Sequence, residues 1–377
     1  MRDILDDIVR VWRTGQPVGL ATVISTFRSA PRLPGSAMLT TAQGQAVGSV
    51  SGGCIDGAVY DYCIDAMETR RPGLAEFGVS DDSAFAVGLT CGGTIEIFVE
   101  AISQHTFPEF AGFYDDVRAG TSVAVATTIS HPDAHAVGKK LVVRDASTEG
   151  GLGSEQLDHA VARDARALLA SGRNSALEFG VDGSCDAHDV RVFVSVFAPA
   201  PRMVIFGANA FASALTDQAR LLGYSVTLCD ARPLFATAER YPTADEVVVD
   251  WPHRYLDGEI RAGRIDGRTA LCVLTHDPKF DIPLLGRALR DCPAGYIGAM
   301  GSRRTHEQRV VSLTETGLTD EEVSRLASPI GLDLGASTPE ETAVSIMAEL
   351  IQLTRGGSGR RLALTSNRIH PAQPVRM

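Results

Sequence analysis

From residue 203 to residue 300 short apolar runs alternate with helical patterns, and that rhythm leaves few folds open. Residues 203–206, 225–229, 246–250, 270–275 and 295–300 read as strands, with helices between them beginning at 210–222. Parallel neighbours need a crossover, and a helix supplies it, so the pattern predicts a doubly wound parallel sheet of α/β class. Ahead of it, Ala198-Pro-Ala-Pro-Arg202 resists both helix and central strand and reads as a linker. The expected division is a mixed α+β domain over 1–197, a Rossmann-like domain over 203–355, and a tail over 356–377.

The first strand of the second half runs into Gly207-Ala-Asn-Ala-Phe-Ala212 and then a helix, close to a dinucleotide-binding turn. Asp230 follows Gly207 by 23 residues, where a carboxylate would take ribose hydroxyls. The second glycine of the fingerprint, which lets a pyrophosphate approach the backbone, is replaced by Asn209. Two readings stay open: retained nucleotide binding, or the fold without tight NAD(P) affinity. His276 in Thr275-His-Asp277 ends a strand at the edge where such sheets bind ligands. It is a candidate general base, or a residue that only caps a loop. Arg232 in Asp230-Ala-Arg232, with Ser302 and Arg303 in Gly298-Ala-Met-Gly-Ser-Arg-Arg304, suits a phosphate or is solvated surface charge. Thr338-Pro-Glu-Glu341 is a helix start, with Thr338 as cap and Glu341 closing a capping box.

In the first half, helices are expected over 4–13, 55–68, 108–118 and 155–171. Strands are expected over 18–26, 37–41, 46–50, 94–100, 121–129, 140–144 and 190–197. Residues 94–100, Thr-Ile-Glu-Ile-Phe-Val-Glu, alternate as a half-buried strand does. Two segments set a cysteine against a glycine pair: Gly52-Gly53-Cys54 and Cys91-Gly92-Gly93. Glycine there permits backbone conformations other residues resist and lets a ligand come close. Cys54 also falls at a helix N-terminus, where the macrodipole favours an anion. The seven cysteines are odd in number and scattered, and no paired Cys-x-x-Cys knuckles occur. A disulfide framework and a zinc ribbon are therefore disfavoured, and reduced thiols in a cytoplasmic protein are expected. Cys54 and Cys91 are candidate ligands for a soft metal or a sulfur-bearing cofactor, with Arg32 in the preceding loop to neutralise an anionic one.

The 46 acidic against 35 basic residues give a net charge of −11, which argues against nonspecific nucleic-acid binding. No apolar run reaches the ~20 residues of a membrane-spanning helix, and the acidic start is unlike a signal peptide.

These motifs carry a resemblance. Gly48-Ser-Val-Ser-Gly-Gly-Cys54, Phe77-Gly-Val-Ser-Asp81 and Gly88-Leu-Thr-Cys-Gly-Gly-Thr-Ile-Glu96 resemble the N-terminal domain of the XdhC/CoxI family. The second half is similar through Thr275-His-Asp277, Tyr296-Ile-Gly-Ala-Met-Gly-Ser-Arg-Arg304 and Pro329-Ile-Gly-Leu-Asp-Leu-Gly-Ala-Ser-Thr-Pro-Glu-Glu341. The resemblance implies a maturation factor that binds molybdenum cofactor as cargo and helps insert it into a xanthine or carbon monoxide dehydrogenase apoenzyme. It implies an accessory role rather than hydroxylase catalysis. A cysteine desulfurase is a candidate second partner, and a homo-oligomer is expected. Relatives usually carry Gly-Ala-Gly-His at the turn that here reads Gly207-Ala-Asn209-Ala210. An NAD(P)-dependent oxidoreductase using His276, and an adaptor with a vestigial cleft, are the alternatives.

Overall fold

The computed structural model describes residues 1–27, 32–78 and 93–366. The chain forms two compact units, one built on Met1–Pro199 and the other on Ala200–Ser366.

The first unit holds two five-stranded antiparallel sheets. In chain order its elements are α1 (Leu5–Trp12), β1 (Val18–Phe27), β2 (Ala37–Thr41), β3 (Ala46–Gly48), α2 (Asp56–Thr69), β4 (Gly73–Phe77) and β5 (Thr94–Ile102). There follow α3 (Phe110–Arg118), β6 (Val123–Ser130), β7 (Lys140–Val143), β8 (Thr148–Gly150), α4 (Glu155–Ser171), β9 (Ser175–Phe179) and β10 (Val190–Phe197). The sheets run β3-β2-β1-β5-β4 and β8-β7-β6-β10-β9.

The period of two along β5 sorts its side chains into two burials. Ile95, Ile97 and Val99 lie under α2 with Val59, Cys63 and Ala66. On the other face Phe98 meets Ile129 and Phe193 of the second sheet. Glu96 on that face takes both arms of Arg191 at 2.8 Å, and Glu100 takes Lys140 at 2.7 Å. The alternation that reads as a half-solvated strand is thus an inter-sheet face whose carboxylates are neutralised. Helix α2 packs so tightly on β1 that a Cβ on Gly19 would stand 2.7 Å from Cys63 Cβ. Three edge strands, β4, β8 and β9, have no counterpart in the sequence expectation. Each is short and only weakly alternating.

The second unit has six parallel strands: β11 (Arg202–Phe206), β12 (Ser225–Asp230), β13 (Glu246–Val249), β14 (Ala270–Val273), β15 (Tyr296–Ala299) and β16 (Leu326–Ala327). Their order is β13-β12-β11-β14-β15-β16. Helices α5 (Ala210–Leu221) and α10 (Pro339–Arg355) cover one face, and α6 (Pro252–Arg261), α7 (Pro278–Asp291) and α8 (Arg303–Glu315) the other, with α9 (Asp320–Ser324) beside them. Both faces are buried, which is why strands such as Met-Val-Ile-Phe read as continuous apolar runs. The capping box of Thr338 and Glu341 forms at the start of α10, as the sequence predicts. Among the described residues no helix is long and apolar enough to cross a membrane.

Candidate functional site

Cys54 stands on a turn that its neighbours build almost entirely from one carboxylate. Asp56, at the start of α2, accepts from Ser49 Oγ at 2.5 Å, Ser51 Oγ at 2.7 Å, and the N–H groups of Val50 and Ser51. Ser51 Oγ in turn accepts from the Ile55 N–H, and Ser49 Oγ from the Gly52 N–H. Burial alone would raise the Asp56 pKa, but the Ser49 and Ser51 hydroxyls and the two amides outweigh it and hold it below the usual carboxylate range. Gly52 and Gly53 are then free to take φ +73° and +114°, where L side chains are strained. Among the described residues nothing lies within 4 Å of a Cβ built on either glycine, and Cys54 is exposed on the turn.

In the second unit the strand order reverses between β11 and β14, and a cavity of about 710 Å³ opens there. The loop after β11 begins at Gly207, φ +112°, where a Cβ would stand 2.7 Å from Thr275 Cγ2. Asn209 is extended, caps α5 by accepting from the Ala212 N–H at 3.0 Å, and donates to the Leu274 carbonyl at 2.8 Å. Its amide therefore ties the turn to β14 and occupies the helix end where a pyrophosphate would sit.

Asp230 is buried at the end of β12 with four donors on its carboxylate. Oδ1 takes the Arg232 N–H at 2.8 Å and Nε at 2.9 Å, while Oδ2 takes the Ala208 N–H and Arg232 Nη2, each at 2.7 Å. Burial would raise its pKa, but Arg232 and the Ala208 amide hold it below the ordinary range. A carboxylate offers about four lone-pair positions, and all are engaged by the protein itself. The two usual anchors of a resident NAD(P), the ribose acceptor and the open helix end, are thus both taken. The residues do not fit a dinucleotide held in the usual way.

Residues 203–350 match the XdhC Rossmann domain, and residues 11–78 and 117–180 match the XdhC and CoxI family. The chain belongs to the XdhC and CoxI family. A relative from Bacillus subtilis (strain 168), described as a probable xanthine dehydrogenase subunit, is 27% identical over 335 residues, 88% of this chain and 92% of its own. The molybdenum cofactor insertion chaperone PaoD of Escherichia coli (strain K12) is 24% identical over 349 residues, 93% of this chain and 87% of its own. Among solved structures, a xanthine dehydrogenase from Bacillus halodurans is 26% identical with a TM-score of 0.67, covering 96% of this chain and 98% of that one.

The remaining sequence candidates of this XdhC and CoxI family member fall in separate places. Asp230, Arg232 and His276 line the same cavity, with His276 exposed. Ser302 caps α8, its Oγ accepting from the Thr305 N–H at 3.1 Å, and Arg303 follows it exposed; neither lines the cavity. In the first unit, half-buried Arg32 borders a smaller cavity of about 230 Å³ with Asn174 and Ser195. Gly93 is buried just before β5, while Cys91 and Gly92 lie outside the described residues. Among the described residues no cluster of three or more His, Cys, Asp or Glu is placed to hold a metal ion.

Sequence reasoning missed the groups that hold these loops. Asp56, the hub of the thiol turn, carries its only signal in two serines five and seven residues before it. Arg309, buried on α8, donates to Asp281, the Met300 carbonyl and Ser328, and Asp281 accepts from Thr275 at the cavity wall. That chain fixes the loops after β14 and β15, and it spans too many residues for any local pattern to show it.

Proposed function

We propose that this chain is an accessory protein that binds molybdenum cofactor as cargo and assists its insertion into a molybdenum hydroxylase apoenzyme of the xanthine or carbon monoxide dehydrogenase type. The observation that carries the proposal is the Ser49–Cys54 turn, an exposed thiol that follows two glycines in the left-handed region. Such a turn admits a large ligand close to the backbone and offers it a soft sulfur donor. The likeness to PaoD supports the identity of that ligand. Cys54 would contact the metal or its sulfur during handover, with Cys91 as the second thiol. Asp56 keeps the turn in shape whether or not cargo is present. The engaged Asp230 carboxylate disfavours a resident NAD(P), and with it an oxidoreductase working through His276.

The test is anaerobic gel filtration of the full chain with molybdenum cofactor, followed by activation of a hydroxylase apoenzyme. Wild type should carry molybdenum through the column and restore hydroxylase activity, and Cys54→Ala should reduce both. Failure of the wild type to retain cofactor, joined to unchanged activation by Cys54→Ala and Cys91→Ala, overturns the proposal. Apoenzyme association without any cargo would instead favour the adaptor alternative.

A further inference from the structure

The cavity at the strand-order reversal holds cationic groups that the fold does not use. Three cations, Arg232, Arg240 and Lys279, line it against two carboxylates, Asp230 and Asp277. Lys279 pairs with Asp277 at 3.0 Å, and Arg232 spends Nε and Nη2 on Asp230. What remains is Arg232 Nη1 and the whole guanidinium of Arg240, which donates to no acceptor among the described residues. One phenyl ring gathers both: Arg232 lies 4.7 Å and Arg240 5.5 Å from the Phe235 centroid. Cation–π contact fixes their direction without consuming their N–H donors. Two such guanidinium groups lining one cavity supply unspent N–H donors of the kind a doubly charged tetrahedral anion takes.

Other anion-binding parts of the fold are closed. The Ala208 amide serves Asp230, and the Asn209 side chain serves Ala212 and Leu274. A ribose diol finds no acceptor on Asp230, because Arg232 already fills it. Phe280, a second ring on the cavity wall with Lys279 over it at 4.8 Å and Trp251 beside it at 5.2 Å, adds aromatic surface for a heteroaromatic group carried by the anion.

We infer that this cavity binds the phosphomonoester of a planar heteroaromatic compound between Arg232 and Arg240, and does not read a ribose diol. The inference deepens the cofactor-handling reading and rests on it only for which phosphomonoester is the natural one. Two sources share the chemistry, a pterin phosphate and a 2′-phosphorylated nucleoside.

Calorimetric titration of the full chain tests it, with 6-hydroxymethylpterin monophosphate, 2′-AMP, adenosine and NAD as probes. At least one phosphomonoester should bind about tenfold or more tightly than adenosine or NAD. The tighter of the two names the source. Arg240→Ala should weaken that phosphomonoester about tenfold and leave adenosine unchanged. Arg232→Ala should weaken it too, yet strengthen NAD, because Asp230 regains its acceptors. A mere folding defect would weaken every probe together, so this reversal of preference separates recognition from structure. The inference is overturned if neither phosphomonoester binds at millimolar concentration, if NAD binds wild type as tightly, or if Arg240→Ala changes nothing. Phosphomonoester binding without cofactor retention would sink the insertion reading alone. Cofactor retention with an Arg240→Ala variant that binds phosphomonoesters normally would sink this inference alone.

Discussion

Two strand-to-helix turns in this chain carry glycine at left-handed φ, and each is organised by an aspartate, yet they do opposite things. At Ser49–Cys54 the aspartate sits inside the following helix and collects the hydroxyls and amides of its own turn. Among the described residues nothing then approaches a Cβ on either glycine within 4 Å. At the turn after β11 the aspartate comes from the neighbouring strand, binds one turn amide, and is itself sealed by Arg232. There the glycine is demanded by close packing against Thr275. A glycine at a strand end therefore has two physical meanings, an opened surface or a closed seam. Only the space around the missing Cβ tells them apart.

Gly207→Ala should break the closed turn hardest. The new Cβ would meet Thr275 Cγ2 at 2.7 Å and the Thr275 backbone N at 3.0 Å, on a backbone at φ +112°. Left-handed strain and overpacking each cost about 1–3 kcal/mol, so a loss of about 3 kcal/mol or more is expected from the second unit. Urea unfolding followed by Trp251 fluorescence, with Trp12→Phe as background, reads it. A loss no greater than that of the same change at Gly52 would erase the contrast between the turns.

Asp56→Ala comes next. It strips four donors of their acceptor, with an expected cost of about 2 kcal/mol in the first unit, read by Trp12 fluorescence in a Trp251→Phe background. The pH dependence follows from the depressed pKa of Asp56. A carboxylate held below its unfolded value contributes fully above about pH 4, and that contribution fades as pH falls through the lower folded value. Wild type should lose stability on acidification below that range, and the alanine variant should lose less. Equal acid sensitivity in the two would show that Asp56 is not the hub. Asp230 has the same sign, so acid should loosen both turns.

Much of this architecture was legible because burial leaves a pattern in the sequence. The strands of the parallel sheet are apolar throughout, since helices cover both faces, and β10 was legible over its whole length from Val190 to Phe197. Edge strands such as β8, Thr148–Gly150, bury nothing and left no pattern. Along β5 the period was visible but its meaning was not, because Glu96 and Glu100 look solvated until Arg191 and Lys140 arrive from distant strands. The same holds at the site. The distance from Gly207 to Asp230 placed the carboxylate beside the turn, and the structure has it there, bonded to the Ala208 amide. That Arg232, two residues on, would fold back onto it depends on how the chain bends after β12. Asn209 reads in the sequence as the loss of a glycine, but its positive role, capping α5 and tying the turn to Leu274, needs β14 in place.

Gly52→Ala is the smallest of the expected effects and the sharpest probe of the open turn. With no atom of the described residues within 4 Å of the added Cβ, the backbone preference at φ +73° is what opposes it, which costs about 1 kcal/mol. The hydrogen bonds that shape the turn run through Ser49, Ser51 and Asp56, so Cys54 should stay as exposed as before and react with iodoacetamide at the wild-type rate. The buried Cys63 makes an internal control, since burial pushes its thiol up to about 11 and keeps it protonated at the pH of the assay. If the methyl group blocks cofactor retention while leaving alkylation untouched, Gly52 is where cargo approaches the backbone. If retention survives, the thiol matters and the space above the glycines does not.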